Sequence, residues 1–205
     1  MNDLRADKAA LRVAVLARRD ALPHTARADL SRRITGALLA QPALATAATV
    51  AAYLSFGSEF DTADFVARVL GAGKRLALPR VNREQHRLEL HAVDDLDRDL
   101  VPGVWGIREP WPERCPLTTL QETDLVLAPG VAFSSRCDRL GYGGGFYDKL
   151  LAGRGTRPVV IAAAFDVQVV STLPVGPDDV PVDLVVTESA IYRKSPSRLA
   201  GEGRG

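Results

Sequence analysis

Residues 124–148 read Asp124-Leu-Val-Leu-Ala-Pro-Gly-Val-Ala-Phe-Ser-Ser-Arg-Cys-Asp-Arg-Leu-Gly-Tyr-Gly-Gly-Gly-Phe-Tyr-Asp148. The apolar run at 125–128 is typical of a strand that is buried on both faces of a parallel sheet. A turn follows, then a loop with four glycines within 141–145, then a segment at 146–151 that predicts a helix. Glycines let bare backbone N–H groups approach an anion, and the first turn of a helix favours negative charge. The stretch therefore predicts a cradle for an oxyanion, with phosphate as the expected ligand.

The glycine loop, by which we mean residues 139–147, is not one of the two best-known phosphate loops. A Walker A loop needs Gly-Lys followed by Ser or Thr, and here Gly145 is followed by Phe146. A dinucleotide fingerprint needs a glycine three residues after Gly143, and Phe146 stands there too. A glycine-rich turn without a ligand is the alternative. The flanking Arg139 and Asp148 favour a ligand, because a plain turn needs neither a cation before it nor a carboxylate in the next helix.

Length and composition predict one domain. The chain has 205 residues and is 46% hydrophobic, which is enough for one substantial core. We expect a single domain at 1–193 and a disordered tail at 194–205, where no apolar pattern is found. The net charge of +1 comes from 26 basic and 25 acidic residues that are scattered along the chain, so we expect no nucleic-acid partner.

No apolar signal core or membrane-spanning run is found in the sequence, so we expect a cytoplasmic protein without a membrane partner. The two cysteines are Cys115 and Cys137. Cys137 is near the glycine loop and is a candidate nucleophile, but no histidine lies close to it in the sequence. We expect a bystander thiol.

Helical and strand patterns alternate along the chain. Helical spacing of apolar residues predicts helices at 4–22, at 25–41 (closed by Pro42) and at 62–70, whereas short apolar runs predict buried strands at 49–55, 75–79, 125–128, 158–164 and 182–187. The alternating stretch at 87–93 predicts an edge strand or hairpin, and 94–122 is loop-like. The fold class is therefore α/β: a single three-layer, Rossmann-like domain with a mostly parallel sheet flanked by helices, as in sugar-phosphate isomerases and CoA-transferases.

Ligands of such sheets bind beyond the carboxyl ends of the strands, so the residues that follow each strand are candidate site residues. Glu59 and Asp61 follow the first strand, where they either bind a ligand or cap the next helix. Lys8 and Arg12 lie one helical turn apart near the N-terminus. They either form a solvated face or fold over the phosphate loop.

Five segments carry a family resemblance. They are Lys8-Ala-Ala-Leu-Arg12, Tyr53-Leu-Ser-Phe-Gly-Ser-Glu59, Gly73-Lys-Arg-Leu-Ala-Leu-Pro-Arg80, Pro129-Gly-Val-Ala-Phe133 with Arg139-Leu-Gly-Tyr-Gly-Gly-Gly-Phe-Tyr-Asp148, and Leu173-Pro174 through Asp179 to Val182-Asp-Leu-Val-Val-Thr-Glu188. In this order they resemble the 5-formyltetrahydrofolate cyclo-ligases, also called methenyltetrahydrofolate synthetases.

The resemblance implies conversion of 5-formyltetrahydrofolate to 5,10-methenyltetrahydrofolate, with ATP cleaved to ADP and phosphate and with Mg²⁺ assisting. It implies a small-molecule substrate and no obligate protein partner, and we expect a monomer. The formamide oxygen is a poor leaving group until ATP phosphorylates it. Such chemistry needs cations, backbone N–H groups and a metal rather than a protein nucleophile.

The resemblance also implies site residues. The catalytic cations at the ATP phosphates are Lys8, Arg12 and Arg139. The nucleotide loop is Arg139, Leu140, Gly141, Tyr142, Gly143, Gly144, Gly145, Phe146 and Tyr147. The folate contacts are Leu54, Glu59 and Tyr147, with Phe56 either a second wall of the folate site or ordinary packing. The Mg²⁺ ligands are Asp148 and Asp179, with Asp178 open as the alternative to Asp179.

The chain departs from the family pattern at a few positions. Ser134, Cys137 and Phe146 stand where Asp, Gly and Tyr are common, and Gly144 stands where some members carry Lys. Two other functions stay open at this point. One is a sugar-phosphate isomerase or acyl-CoA transferase-like enzyme with Glu59 as its base, and the other is a non-catalytic folate-binding protein. Trp105 and Trp111 either line the folate cleft or hold a loop in place.

Overall fold

The computed structural model describes residues 3–195. The α-helices are α1 Leu4–Asp20, α2 His24–Leu39, α3 Pro42–Thr46, α4 Ala63–Gly71 and α5 Phe146–Ala152. The strands are β1 Thr49–Ala51, β2 Arg75–Asn82, β3 Arg87–Val93, β4 Leu100–Pro102, β5 Arg108–Pro110, β6 Leu117–Thr118, β7 Leu125–Ala128, β8 Ala132–Ser134, β9 Arg139–Leu140, β10 Val159–Ala163, β11 Val169–Val170, β12 Leu184–Val186 and β13 Ile191–Arg193.

An eight-stranded sheet forms the middle layer, in the order β13-β12-β10-β7-β1-β2-β3-β6. The five central strands from β12 to β2 are parallel, and β13, β3 and β6 pair antiparallel at the two edges. Successive residues of a strand point to opposite faces. Val50 accordingly packs with Ile34 of α2 and Phe65 of α4, whereas Ala51 belongs to the opposite cluster with Leu151 of α5. The predicted three-layer α/β fold with a mostly parallel sheet is confirmed.

A second, three-stranded sheet (β11-β8-β9) carries the glycine loop and packs against α1. The contact is a small apolar cluster in which Val15 of α1 meets Val131, Leu140 and Leu173. Helix α1 is capped by Asp3, whose side chain accepts a hydrogen bond from the backbone N–H of Arg5 at 3.0 Å. The cluster therefore holds the N-terminal helix beside the loop.

Several sequence predictions differ from the structure. Pro42 does not simply close the second helix, which ends at Leu39. It opens α3, since proline suits the first helical position. The loop-like segment 94–122 contains β4, β5, β6 and two turns of 3-10 helix at Val104–Gly106 and Leu120–Glu122. The first two residues of the glycine loop form β9, which pairs with β8. The sequence predicted neither strand, because both lie in the stretch that reads as a turn and a loop.

Two further predictions concern the chain as a whole. Within residues 3–195, no helix is both long and apolar enough to cross a membrane. Most of the tail predicted to be disordered at 194–205, namely 196–205, lies outside the described residues. The domain bounds 1–193 stay a prediction.

Candidate active site

A cleft of about 500 Å³ opens where β1, β2 and β7 end, which is the edge of the sheet that the topology favours for ligands. Its walls are mainly apolar. Of the predicted site residues, those that line the cleft are Leu54, Glu59, Arg139, Gly141, Tyr142, Gly144, Gly145, Phe146, Tyr147 and Asp148. Lys8, Arg12, Leu140, Gly143 and Asp179 are not among its lining residues.

The β2–β3 hairpin forms one wall of the cleft. Val81 and Leu88 of the hairpin face the cavity. At the hairpin tip the His86 ring packs against the Phe146 ring, with centroids 4.5 Å apart, and Lys149 Nζ donates to the His86 carbonyl at 3.2 Å. The hairpin thus reaches helix α5 and encloses the space between the sheet edge and the glycine loop.

The β8–β9 turn positions Arg139 at the start of the glycine loop. Ser134 Oγ accepts hydrogen bonds from the backbone N–H groups of Arg136 and Asp138, both at 3.2 Å, and donates to Asp138 Oδ2 at 2.7 Å. Cys137 has a left-handed backbone, with φ of 70°. Such a backbone favours glycine, which explains why glycine is common there in the family that the sequence resembles. Ser134 and Cys137 therefore still form a closed turn.

Two glycines of the loop need their conformational freedom. Gly143 has φ of 107°, and Gly145, the residue before α5, has φ of 70°. Gly144 is constrained by space instead, because a Cβ there would lie 2.8 Å from Cδ2 of Phe146. A lysine at this position would have to displace the Phe146 ring.

Arg139 is a buried cation behind the loop, with its side chain 2% exposed. Its Nη2 pairs with Asp148 Oδ1, and Nη1 donates to the Pro129 carbonyl at 3.4 Å. Nε is buried and has no hydrogen-bond partner within residues 3–195. A buried guanidinium with an unpaired donor beside a glycine loop fits an anionic ligand, because an orphaned charged donor is costly.

The two cations of α1 contact the loop region rather than bulk solvent alone. Arg12 Nε donates to the Gly141 carbonyl at 2.8 Å, and a Cβ on Gly143 would lie 3.6 Å from Arg12 Cζ. Lys8 forms an ion pair with Asp179, whose Oδ2 also accepts from the Gly176 N–H at 2.6 Å. Helix α1 therefore lies beside the glycine loop, which Arg12 contacts directly, whereas Lys8 contacts Asp179 outside the loop. Their roles at a phosphate stay predictions.

The structure places Glu59 and Asp61 in different surroundings. Asp61 Oδ1 accepts from the N–H of Ala63 at 3.0 Å, which is the capping contact at the start of α4. Glu59 is 7% exposed and faces the cleft. Its Oε1 accepts from the Tyr142 hydroxyl at 2.7 Å and its Oε2 from the Phe56 N–H at 3.0 Å. Burial raises the pKa of Glu59, and the Tyr142 hydrogen bond, the Phe56 hydrogen bond and the charge of Arg19 oppose that rise.

Arg19 was missed by sequence reasoning. It is 3% exposed, and it donates from Nε to Ser58 Oγ and from Nη1 to the Tyr142 hydroxyl, both at 2.9 Å. The available signal was its position seven residues after Arg12, which places both on one face of a helix. The cleft residues 107–109 were missed too, because they lie in a segment with no periodicity.

The surroundings of Cys137 and Trp111 bear on the alternatives that the sequence left open for these two residues. Cys137 is fully buried, and burial raises the pKa of its thiol to about 11, which fits the expected bystander. Trp111 packs against Arg114, whose Cζ is 4.4 Å from the ring centroid, and is not among the cleft residues. The prediction for the Trp105 side chain lies outside the described part of the chain.

The model of the 5-formyltetrahydrofolate cyclo-ligase family matches residues 4–188. The chain belongs to this family. The 5-formyltetrahydrofolate cyclo-ligase of Escherichia coli K12 is 33% identical over 178 residues, which cover 85% of this chain and 97% of that protein. The enzyme of the same name from Mycolicibacterium smegmatis is 31% identical over 182 residues, with 88% and 93% covered.

A solved structure agrees with the family assignment. The 5,10-methenyltetrahydrofolate synthetase of Aquifex aeolicus superposes with a TM-score of 0.82 at 31% identity, over 95% of this chain and 96% of that one. The resemblance seen in the five sequence segments is thereby confirmed for the cyclo-ligase family, and so is the fold that it implied.

The carboxylates predicted to bind metal lie on one side of the glycine loop. Asp148 Oδ1 accepts from the Val180 N–H at 3.2 Å, so the residue after Asp179 contacts Asp148 directly. Asp178 is exposed, whereas Asp179 is partly buried and paired with Lys8. Among residues 3–195 no cluster of three or more His, Cys, Asp or Glu side chains could hold a metal. Asp148 and Asp179 supply carboxylate oxygens, the ligand type that Mg²⁺ prefers, and Mg²⁺ is commonly held by one or two carboxylates together with substrate phosphates.

Proposed function

We propose that this cyclo-ligase closes 5-formyltetrahydrofolate to 5,10-methenyltetrahydrofolate in the described cleft, with ATP cleaved to ADP and phosphate. Family membership supports the reaction. The observation that carries the location is that the glycine loop and Glu59 line the same cavity. A phosphate cradle and a carboxylate suited to a pterin therefore face one space of about 500 Å³, within the usual range for a small-molecule site.

The reaction has two steps that need different help. The formyl oxygen attacks the γ-phosphorus of ATP, the bond to ADP breaks, and an iminium phosphate forms on N5. N10 then attacks the iminium carbon and loses its proton, and phosphate leaves with the C–O electron pair to give the methenyl bridge. Both steps place negative charge on phosphate oxygens, and neither needs a protein nucleophile.

We assign Arg139, Lys8 and Arg12 to the phosphate charge. Arg139 has a buried, unpaired Nε, so an anion in the loop would satisfy a donor that is otherwise orphaned. Arg12 and Lys8 approach the loop from α1 through Gly141 and Asp179. Arg139 lines the mostly apolar cleft, where its charge acts at low dielectric and stabilises developing charge more than it would in water.

We assign Glu59 to the pterin and Leu54 and Tyr147 to the walls of its site. A pterin presents its 2-amino group and N3–H as two adjacent donors, which one carboxylate can accept together. Apolar side chains, including Leu78 and Val81, line the cleft and would disfavour water beside a bound folate. Water would otherwise compete with N10 for the iminium carbon.

Asp148 and Asp179 would hold Mg²⁺ together with the phosphates of ATP. The ion would supply positive charge that neutralises the phosphate oxygens. Asp148 already pairs with Arg139, and Asp179 already pairs with Lys8. Each carboxylate would therefore be shared between a side-chain cation and the Mg²⁺ ion. A monomeric state and a cytoplasmic location stay predictions.

The near-ultraviolet absorbance of the methenyl product tests this function. Purified protein with 5-formyltetrahydrofolate should form product only when ATP and Mg²⁺ are both present. Folate binding without product would indicate a non-catalytic folate-binding protein. Neither binding nor product would favour a different enzyme on the same sheet.

A further inference from the structure

A chain of hydrogen bonds joins three segments that the proposed function uses separately. Arg19 of α1 donates from Nη1 to the Tyr142 hydroxyl at 2.9 Å, and this hydroxyl donates to Glu59 Oε1 at 2.7 Å. Tyr142 belongs to the glycine loop, and Glu59 follows β1. The nucleotide loop and the proposed pterin carboxylate are therefore connected by one hydroxyl group.

Both ends of this chain are fixed. Arg19 Nε donates to Ser58 Oγ at 2.9 Å, and Ser58 Oγ in turn donates to Asp20. On the other side, the Phe56 N–H donates to Glu59 Oε2 at 3.0 Å. A buried carboxylate held by donors on both oxygens has one defined orientation.

The free acceptor sites of Glu59 suit a two-donor ligand. An ionised carboxylate has about four lone-pair sites, two on each oxygen. Tyr142 occupies one site on Oε1, and the Phe56 N–H occupies one on Oε2. One acceptor site remains on each oxygen, which is the pattern that the paired donors of a pterin require.

The position of the Tyr142 side chain depends on the conformation of the glycine loop. It lies between Gly141, whose carbonyl accepts from Arg12, and Gly143, which has a left-handed φ of 107°. Its ring packs on Phe56 with centroids 5.3 Å apart, and Phe56 also lines the cleft. Any rearrangement of the loop around a nucleotide therefore changes the position of the hydroxyl that holds Glu59.

We propose that Arg19 and Tyr142 are positioning residues that orient the Glu59 carboxylate and thereby couple the nucleotide loop to folate recognition, so that ATP and folate strengthen each other's binding. This inference rests on the proposed function, because it takes Glu59 as the pterin anchor and the loop as the nucleotide site. Coupling of this kind is reciprocal: the factor by which a nucleotide tightens folate equals the factor by which folate tightens the nucleotide.

The titration of Glu59 supplies a second signature. The groups that face it are Arg19, Tyr53, Tyr142 and Tyr147, and of these Arg19 and the Tyr142 hydrogen bond lower its pKa. Loss of the Tyr142 hydroxyl removes one of the contacts that oppose burial, so the carboxylate takes up a proton at higher pH. As the pH is lowered, the folate affinity of a Tyr142→Phe variant should consequently begin to decline at a higher pH than that of the wild type.

The test is isothermal titration of the full-length protein with 5-formyltetrahydrofolate, with and without a non-hydrolysable ATP analogue and Mg²⁺. We expect the analogue to tighten wild-type folate binding by about fivefold or more, within the usual range of coupling between sites. In Tyr142→Phe that ratio should fall towards one, and folate binding without the analogue should weaken by about three- to tenfold, as for one lost hydrogen bond.

Two comparisons make the result specific. Tyr192→Phe, on the edge strand β13, is the same chemical change away from the cleft and should leave the coupling ratio at the wild-type value. Arg19→Gln should lower the ratio as Tyr142→Phe does. If that variant fails to fold, Tyr142→Phe alone decides the question.

The inference and the proposed function fail in different ways. A wild type that forms the methenyl product, while Tyr142→Phe keeps its coupling ratio and its pH profile, overturns the inference alone. A wild-type ratio of one also overturns it. A wild type that neither binds folate nor forms product overturns the proposed function.

Discussion

The Glu59→Gln substitution separates recognition from folding more sharply than any other change in this cleft. The side chain is 7% exposed and accepts hydrogen bonds on both oxygens, from Tyr142 at 2.7 Å and from the Phe56 N–H at 3.0 Å. In the glutamine variant the amide oxygen can still accept from Phe56. The amide nitrogen would then face Tyr142, whose hydroxyl can rotate and accept. The native contacts of residue 59 therefore survive in altered form.

Folate recognition does not survive in the same way. The amide nitrogen presents donors where the pterin also presents a donor, so one N–H of the buried ligand loses its partner. Losing a charge-assisted hydrogen bond costs about 1.5–3 kcal/mol, and an unpaired buried donor adds about 1–3 kcal/mol. Together these figures correspond to a loss of folate affinity on the order of a hundredfold or more.

Stability should move in the opposite direction. Because burial raises the pKa of Glu59, ionisation of this group disfavours the folded state. The contribution of this group to wild-type stability is full below the ordinary pKa of an unfolded glutamate, and it is lost as the pH rises from there through the raised folded-state pKa. The glutamine variant lacks this loss, so its free energy of unfolding relative to the wild type should increase with pH across that interval.

Isothermal titration with 5-formyltetrahydrofolate and, separately, with an ATP analogue measures the two affinities. Chemical denaturation at several pH values measures stability. We expect folate affinity to fall while affinity for the ATP analogue alone stays within a few-fold of the wild type. Wild-type folate affinity in the variant would refute the assignment of Glu59 as the pterin anchor.

Three further changes have defined outcomes. Asp148→Asn should lower turnover most at limiting Mg²⁺, and it should also lower the melting temperature because it removes the carboxylate that pairs with the buried Arg139. Full activity of the wild type in the presence of a chelator would contradict the metal assignment. Lys8→Ala should raise the KM for ATP by about tenfold or more, since a charge-assisted bond contributes about 1.5–3 kcal/mol. Arg18→Ala on the exposed face of α1 is the matched control, and equal KM values in the two variants would show that Lys8 serves only its ion pair with Asp179. Gly145→Ala should destabilise the protein by about 1–2 kcal/mol, the cost of a left-handed backbone for an L-residue. The φ of 70° at Gly145 strains any residue with a Cβ, although the Cβ itself would have room. An unchanged melting temperature would show that the loop relaxes.

Local patterns in the sequence were sufficient for the fold class and the family. Buried strands of a parallel sheet are continuous apolar runs, so β7, β10 and β12 could be located from such runs in the sequence. The glycine loop could be recognised because its chemistry depends on neighbouring residues: close backbone approach, a following helix, and flanking charges. Strands β8 and β9 could not, because they lie in the stretch that reads as a turn and the start of the glycine loop.

Contacts between distant segments required the tertiary structure. The residue pattern of Lys8 and Arg12 by itself favoured a solvated face over contact with the phosphate loop, and the packing of Val15 on the β8–β9 sheet brings α1 to the loop. By residue type alone, Glu59 and Asp61 could each bind a ligand or cap a helix, and only the family resemblance favoured Glu59. The direction of the chain after β1 places Glu59 in the cleft and Asp61 at the start of α4.

Arg19 shows the same division most clearly. Its charge and its helical position were readable, but its partner Tyr142 is 123 residues away along the chain. A side chain's local preferences depend on its near neighbours in sequence, whereas its hydrogen-bond partners and its burial depend on which segments the core brings together. For that reason the sequence determined the kind of chemistry in this protein, and the packing of helix α1 and the glycine loop around one cleft decided which residues are in position to perform it.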